Sequence, residues 1–323
     1  MSRRNTLLAT LGAALSLALP AAALAQAWPT KPIRLVTPSP PGGAGDVSNR
    51  VVAKILAEQL GQPVVIENKV GGNGVIAAME ALRGGTDGYT VYVGSTTTLV
   101  ANPYLMKTMP YDPAVEFAPV SLIGTLPFLL VVNNDLPVKS VQELIAYGKA
   151  NPGKLSFASA NASSLVTASM FARQTGIQML HVPYKGAPAS MTDVISGQVS
   201  LSFVDIPSSL SLIQGGKIRL LGVTSAKRLA LLPDAPTIAE AGVPGYELVA
   251  WTAMVVPAGT DPKIVRRLSD EVRKVIARPD VRDQLARVGF DAEASTPEEL
   301  GAFMRSERPR WSRLIREAGI QPE

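Results

Sequence analysis

The sequence predicts an α/β fold, and three observations carry that prediction. A short β-type run, a glycine-rich turn and a helical repeat follow one another three times in the N-terminal third of the chain. The same layout returns further along with Ser and Asn in place of Gly. Hydrophobic residues make up 46% of the 323 positions and charged residues 18%, the balance of a chain that can bury a core. At about 150 residues per domain, that length corresponds to two domains.

Residues 1–25 combine Arg3 and Arg4, an apolar stretch from Leu7 to Leu19 and the small-residue pattern Ala23-Leu24-Ala25. This is the pattern of a secretory signal peptide, and the apolar stretch is shorter than the roughly 20 residues of a membrane span. The mature chain is expected to be soluble in the periplasm. Its formal net charge falls from +5 to +3, because the removed segment holds two Arg and no acid. So mild a basicity calls for no nucleic-acid partner.

Ile33-Arg34-Leu35-Val36 reads as a buried strand that runs into the turn-rich segment Pro38 to Gly45, and Asp46 opens a helix to about Leu60. Val64-Val65-Ile66 leads to Gly71-Gly72-Asn73-Gly74, and Thr90 to Val93 leads to Gly94-Ser95-Thr96. This alternation predicts largely parallel sheets. A second run begins at Phe128 to Val132, with a helix from about Ser140 to Lys149. Leu155 to Ala158 is the next strand, and Ser159-Ala160-Asn161-Ala162-Ser163-Ser164 leads into another helix. Two Arg-rich helices, about Pro262 to Ala277 and Pro297 to Ala318, close the chain with their Arg on a solvated face.

The chain has no Cys and one His, His181. A disulfide framework, a thiolate site and a His-rich metal site are therefore excluded, and no G-x-S-x-G elbow accompanies the His. No catalytic residue, metal or cofactor is expected, although Asp or Lys chemistry stays open. Gly72 to Ala77 fits G-x-G-x-x-A, but Asp87 belongs to a turn and sits too close to serve as the ribose acid. His181 reads as a hydrogen-bonded structural residue, and Trp251 and Tyr246 as packing in a core or at a hinge. A loop that ends at a helix start gathers unpaired N–H groups and dipole charge, a combination that binds anions.

Several segments resemble one family: Trp28-Pro29-Thr30-Lys31-Pro32-Ile33, Pro40-Pro41-Gly42-Gly43-Ala44-Gly45-Asp46, Gly61 to Asn68, Asp87-Gly88-Tyr89-Thr90 and Tyr111-Asp112-Pro113. Asn151 to Leu155, His181-Val182-Pro183-Tyr184-Lys185-Gly186, Pro236 to Gly242 and Val256 to Thr260 continue the match. The chain resembles the extracytoplasmic solute-binding receptors of tripartite tricarboxylate transporters, the Bug or TctC-like proteins.

The resemblance implies a two-domain periplasmic-binding-protein clamp, type II-like, with the ligand cleft between domains. Residues 27–127 plus 250–323 would form one domain and 128–249 the other. It also implies a monomeric receptor that hands a small organic carboxylate to the transporter's membrane subunits. Ligand contacts would come from Ser39, Pro41, Gly42, Gly43 and Ala44, from Ser95 and Thr96, and from Ser159, Ala160, Asn161, Ser163 and Ser164. Asp46 would brace the first loop, Asp205 would accept a ligand donor or cap a turn, and His181 would lie away from both binding loops. Ser39 stands where Phe or Tyr is usual and Gly45 where Thr or Ser is usual, which implies a roomier wall. The second loop lacks the usual Gly and His. An exported enzyme acting on a carboxylate, and a ligand sensor for a periplasmic signalling domain, are the alternatives.

Overall fold

The computed structural model describes residues 28–322, so the signal-type segment lies outside the described residues. Two sheets organise the chain. The first joins β1 (Ile33–Thr37), β2 (Val64–Asn68), β3 (Thr90–Ser95), β4 (Phe117–Pro127), β10 (Val249–Pro257) and β11 (Asp291–Ala292), in the order β11-β4-β10-β3-β1-β2. The second joins β5 (Leu129–Asn133), β6 (Leu155–Ser159), β7 (Met179–Pro183), β8 (Leu201–Val204) and β9 (Ile218–Val223), in the order β7-β6-β8-β5-β9.

The expectation of largely parallel sheets is corrected. Strands β2, β1 and β3 run parallel, as do β7, β6 and β8, but every pairing made by β4, β5 and β10 is antiparallel. The reason is topological. The chain leaves the first sheet through β4 and enters the second through β5, then returns after β9 through β10, so these strands arrive without a helical crossover.

Helices α1 (Ala44–Leu60) and α2 (Val75–Arg83) pack beside the first sheet; α3 (Val141–Ala150), α4 (Ala162–Thr175), α5 (Ala187–Ile195) and α6 (Ile206–Gln214) belong to the second. The chain ends with α7 (Pro262–Ala277), α8 (Pro279–Ala286) and α9 (Pro297–Glu317). Helix α1 buries Val52, Ala53, Ile55 and Leu56 on one face, turns Lys54 and Glu58 to solvent, and stops at Gly61 in the left-handed region. Strand β5 is buried at every residue, as a central strand covered on both faces must be. One apolar cluster runs without interruption from Val36 and Tyr92 in the first sheet, through Leu130 and Phe171, to Trp311 on α9. No helix among the described residues is long and apolar enough to cross a membrane.

The two passages between sheets are pinned at one residue. Thr224, fully buried just after β9, accepts from the Phe128 N–H at 2.8 Å and donates to the Leu248 carbonyl at 2.6 Å through its hydroxyl. Its own N–H donates to the Phe128 carbonyl and its carbonyl accepts from the Leu248 N–H, each at 3.0 Å. Thr224→Val keeps the shape but leaves the Phe128 N–H and the Leu248 carbonyl each one partner short. It should lower stability by about 2–4 kcal/mol, since each unsatisfied buried group costs roughly 1–3 kcal/mol. Chemical denaturation checks this; an unchanged midpoint would remove Thr224 from that role.

Candidate functional site

A cleft of about 580 Å³ opens where the loops of the two sheets meet. Five helix N-termini contribute to its wall. Three of them, at α1, α2 and α5, start from glycine caps (Gly43, Gly74 and Gly186) that make no side-chain hydrogen bond to the helix. At α1 the first amide hydrogens therefore keep their capacity for an external acceptor, with the helix dipole behind them, whereas at α2 the Val75 N–H donates to the Gly72 carbonyl and at α5 Pro188 has no N–H, so those two ends offer fewer donors. At α4 and α6 the wall residues Asn161 and Asp205 cap their own helices, accepting from the N–H of Ser164 and Ser208, each at 2.9 Å.

Hydroxyls surround these ends. Ser39, Ser95, Thr97 and Thr98 line the side of the first sheet, and the Thr97 hydroxyl meets that of Ser163 on α4 across the cleft at 3.3 Å. The floor is apolar and comes from the strands that pass between sheets: Leu126, Phe128 and Trp251, with Phe290 beside them. Lys185 is the cation on the wall and Asp205 the carboxylate. Burial pushes the Asp205 carboxyl above the ordinary range although hydrogen bonds from Ser208 oppose it. Tyr184 donates to Asp193 at 2.5 Å, and burial together with that carboxylate pushes its phenol up to about 12.

The first loop is shaped from behind. Asp46, buried under it, accepts from the Gly42 N–H at 3.0 Å, from Arg50 Nε at 2.9 Å and from Asn68 Nδ2 at 2.9 Å. Asn68 also donates to the Ser39 carbonyl at 2.9 Å, which ties β2 to both ends of the turn. A Cβ added at Gly45 would collide with the Ser39 hydroxyl, and one at Gly74 with the Thr98 methyl, so both loops approach their neighbours only as glycine.

The expected contact residues divide into two groups. Ser39, Gly43, Ser95, Ala160, Asn161, Ser163 and Asp205 line the cleft. Pro41 and Gly42 point to solvent, Ala44 is the first helical residue, and Asp46 sits behind the loop. Thr96 is buried against β10, where its hydroxyl accepts from the Trp251 N–H at 2.8 Å. Ser164 turns back to its own cap, accepting from the N–H of Ala160 at 3.0 Å and of Asn161 at 3.2 Å. Ser159 engages His181, Oγ to Nε2 at 2.7 Å, and the His181 ring stacks on Phe157.

That contact corrects the placement of His181 away from the binding loops: β7 pairs with β6 along its whole length, and residues 183–188 that follow it line the cleft. Sequence reasoning missed Asn73, Tyr184 and Lys185 as wall residues. The signal was present, since Pro183-Tyr184-Lys185-Gly186 stands between a strand and a helix start as the other loops do. Among the described residues, no group of three His, Asp or Glu lies together in a way that could hold a metal.

The family described as "Tripartite tricarboxylate transporter family receptor" matches residues 48–320. The chain belongs to this family. Three solved structures extend the likeness. "R. palustris Rpa4515 with adipate" is 36% identical, with 92% of this chain and 100% of that chain covered and a TM-score of 0.89. The periplasmic binding protein BugD is 31% identical, with 92% and 100% covered and a TM-score of 0.85. MatC from Rhodopseudomonas palustris, solved with bound malate, is 29% identical, with 89% and 100% covered and a TM-score of 0.81. The receptor thus has the two-domain periplasmic-binding-protein fold and is a member of the Bug family.

Two predictions follow from the loop geometry. Ser164→Ala should lower the melting temperature through a loss of about 1 kcal/mol of capping, measurable by calorimetry; an equal melting temperature would show that Asn161 caps α4 unaided. Burial alone would raise the Asp46 pKa, but the bonds from Arg50, Gly42 and Asn68 outweigh it and hold the carboxyl below its ordinary 3.8. A depressed pKa adds stability that is present above 3.8 and disappears as pH falls through the lower folded value. The stability difference between wild type and Asp46→Asn should therefore shrink as pH drops below 3.8; a gap independent of pH in acid titrations would contradict it.

Proposed function

We propose that this receptor captures a small organic carboxylate in the cleft and delivers it, from the periplasm, to the membrane subunits of a tripartite tricarboxylate-type transporter. One observation carries the reading: three helix N-termini with side-chain-free glycine caps open on one cleft whose wall holds a single carboxylate. Such a wall attracts anionic oxygens through main-chain amides and hydroxyls. The hydroxyl–imidazole pair beside it, Ser159 with His181, does not line the cleft, so the ligand leaves as it arrived. Rpa4515 and MatC, solved with adipate and malate, support a dicarboxylate as the bound class.

Ligand would be drawn in by closure of residues 27–127 plus 250–323 against 128–249, about the passages pinned at Thr224. Closure favours the state in which both loops reach the ligand, through contacts the open state lacks. The signal-type N-terminus supports an exported protein, and it works as a monomer.

The cleft also suggests which carboxylate. Its floor is hydrocarbon and aromatic, and its wall offers one cation, too little for the third charge of a citrate-like ligand. In a thermal-shift panel of the mature chain, adipate at a hundredfold excess over its Kd should add about 2.7 kcal/mol of stability, and citrate far less. If no carboxylate raises the melting temperature, or mass spectrometry finds a recovered carboxylate converted, the receptor reading fails.

A further inference from the structure

We propose that Glu307, on the C-terminal helix α9 and outside the cleft, is a positioning residue that sets the Trp251 indole behind the cleft floor. Glu307 is buried in the apolar cluster that joins the two sheets. Its Oε2 accepts from two indoles, Trp251 Nε1 at 3.0 Å and Trp311 Nε1 at 3.0 Å. Its Oε1 accepts from Arg310 Nη1 at 2.9 Å. Three donors satisfy the carboxylate, so burial does not leave it uncompensated.

Both indoles are fully buried, but only Trp251 belongs to a residue that borders the cleft. Trp311 lies one helical turn from Glu307 on α9 and is enclosed. Trp251 lies on β10, the returning passage between sheets, and forms part of the cleft floor. Its main chain is fixed to Thr96, and its ring meets Phe303 of α9 edge-on with centroids 5.2 Å apart. Burial already restricts the indole to few rotamers, and the bond to Glu307 selects the one whose Nε1 faces α9. Helix α9 packs on β4 of the first sheet and also on α4, the helix whose N-terminus forms the opposite wall. Glu307 thus ties the floor of the cleft to a helix that touches both sides, and its effect on ligand passes through Trp251.

This inference rests on the carboxylate-receptor reading for its ligand, and the probe is adipate. Calorimetric titration and acrylamide quenching of tryptophan fluorescence are measured on the mature chain and on Glu307→Leu, Glu307→Gln, Trp251→Phe and Trp311→Phe. Glu307→Leu and Trp251→Phe should each weaken adipate binding about tenfold, the loss expected for one hydrogen bond to a charged group. The double variant should be little worse than either, because both remove the same contact. Glu307→Gln, which keeps an acceptor, should stay within about threefold. Glu307→Leu should also raise the quenching of the Trp251 signal in the absence of ligand.

Trp311→Phe separates positioning from packing: it deletes a donor to the same oxygen away from the cleft, so it should lower the melting temperature while leaving adipate affinity unchanged. Wild-type affinity in folded Glu307→Leu or in Trp251→Phe overturns the proposal, as does an equal loss of affinity in Trp311→Phe. If Glu307→Leu does not fold, Trp251→Phe decides. Should wild type itself fail to bind adipate, the ligand reading falls, and unchanged quenching in Glu307→Leu overturns the positioning role independently.

Discussion

Two separate sheets share one chain that must pass between them twice, and the hydrogen bonds at those passages hold the rest in place. Strands β4 and β10 pair from Phe117–Pro257 to Pro127–Val249, and immediately beyond that ladder Thr224 bonds to both departing segments. The passages are thereby joined to each other before either enters the second sheet. Bulges let the ladder absorb residues that a regular strand would reject: Val120 and Ile123 lie where the register with β10 shifts, on either side of Ser121 and Leu122. Gly124 is needed beside them because a Cβ there would meet the Asp291 carbonyl of β11. Everything that faces the cleft is set by where these strands end.

The chemistry of the cleft follows from that geometry. Helices that start at the ends of strands from both sheets point their first turns at a common space, and glycine caps keep those turns open. Under the proposed function, charge for an anionic ligand would come mostly from peptide dipoles, which neither titrate nor lose side-chain entropy on binding. Ionised side chains serve elsewhere. Asp46 with Arg50 and Asn68 shapes a loop from behind, and Glu307 gathers two indoles and an arginine under the floor. Under the proposed reading, a chain without Cys and with one His has what a site of main-chain amides requires.

Much of the fold was legible in the sequence wherever local signals and tertiary demand agree. Helices α7 and α9 begin at Pro262 and Pro297, where proline after a capping Asp or Thr marks a helix start. Strand β5 and the first helix were equally plain from apolar run and periodicity. Strand β4 was not, because Pro119, Gly124 and Pro127 interrupt its pattern and only its bulged pairing with β10 makes it a strand. Nor could spacing reveal strand direction, which depends on the two passages. Among the loop residues, chemical type did not separate those that line the cleft, such as Ser39, Ser95 and Ser163, from those that do not, such as Pro41, Gly42, Ser159 and Ser164. Ser164 and Ser159 have the hydroxyls a carboxylate would want, but a capping turn and His181 occupy them. The discriminating information is the direction of a side chain at a helix start, and that is decided by the cap.

The width of the first loop is a property of two residues, not of either one. Gly45 can accept no side chain while Ser39 holds its rotamer. Enlarging position 39 would take room from the cleft it lines; enlarging position 45 alone would drive a Cβ into the serine hydroxyl. Because Asp46 and Asn68 clamp the turn to β2 and α1, the loop cannot move aside to relieve either change. Under the carboxylate-receptor proposal, main-chain amides bind the charge, and selection among carboxylates falls to the space left by this pair and to the apolar floor beneath it. A receptor of this design changes its ligand by altering bulk at the wall while the amides that bind the charge stay where they are.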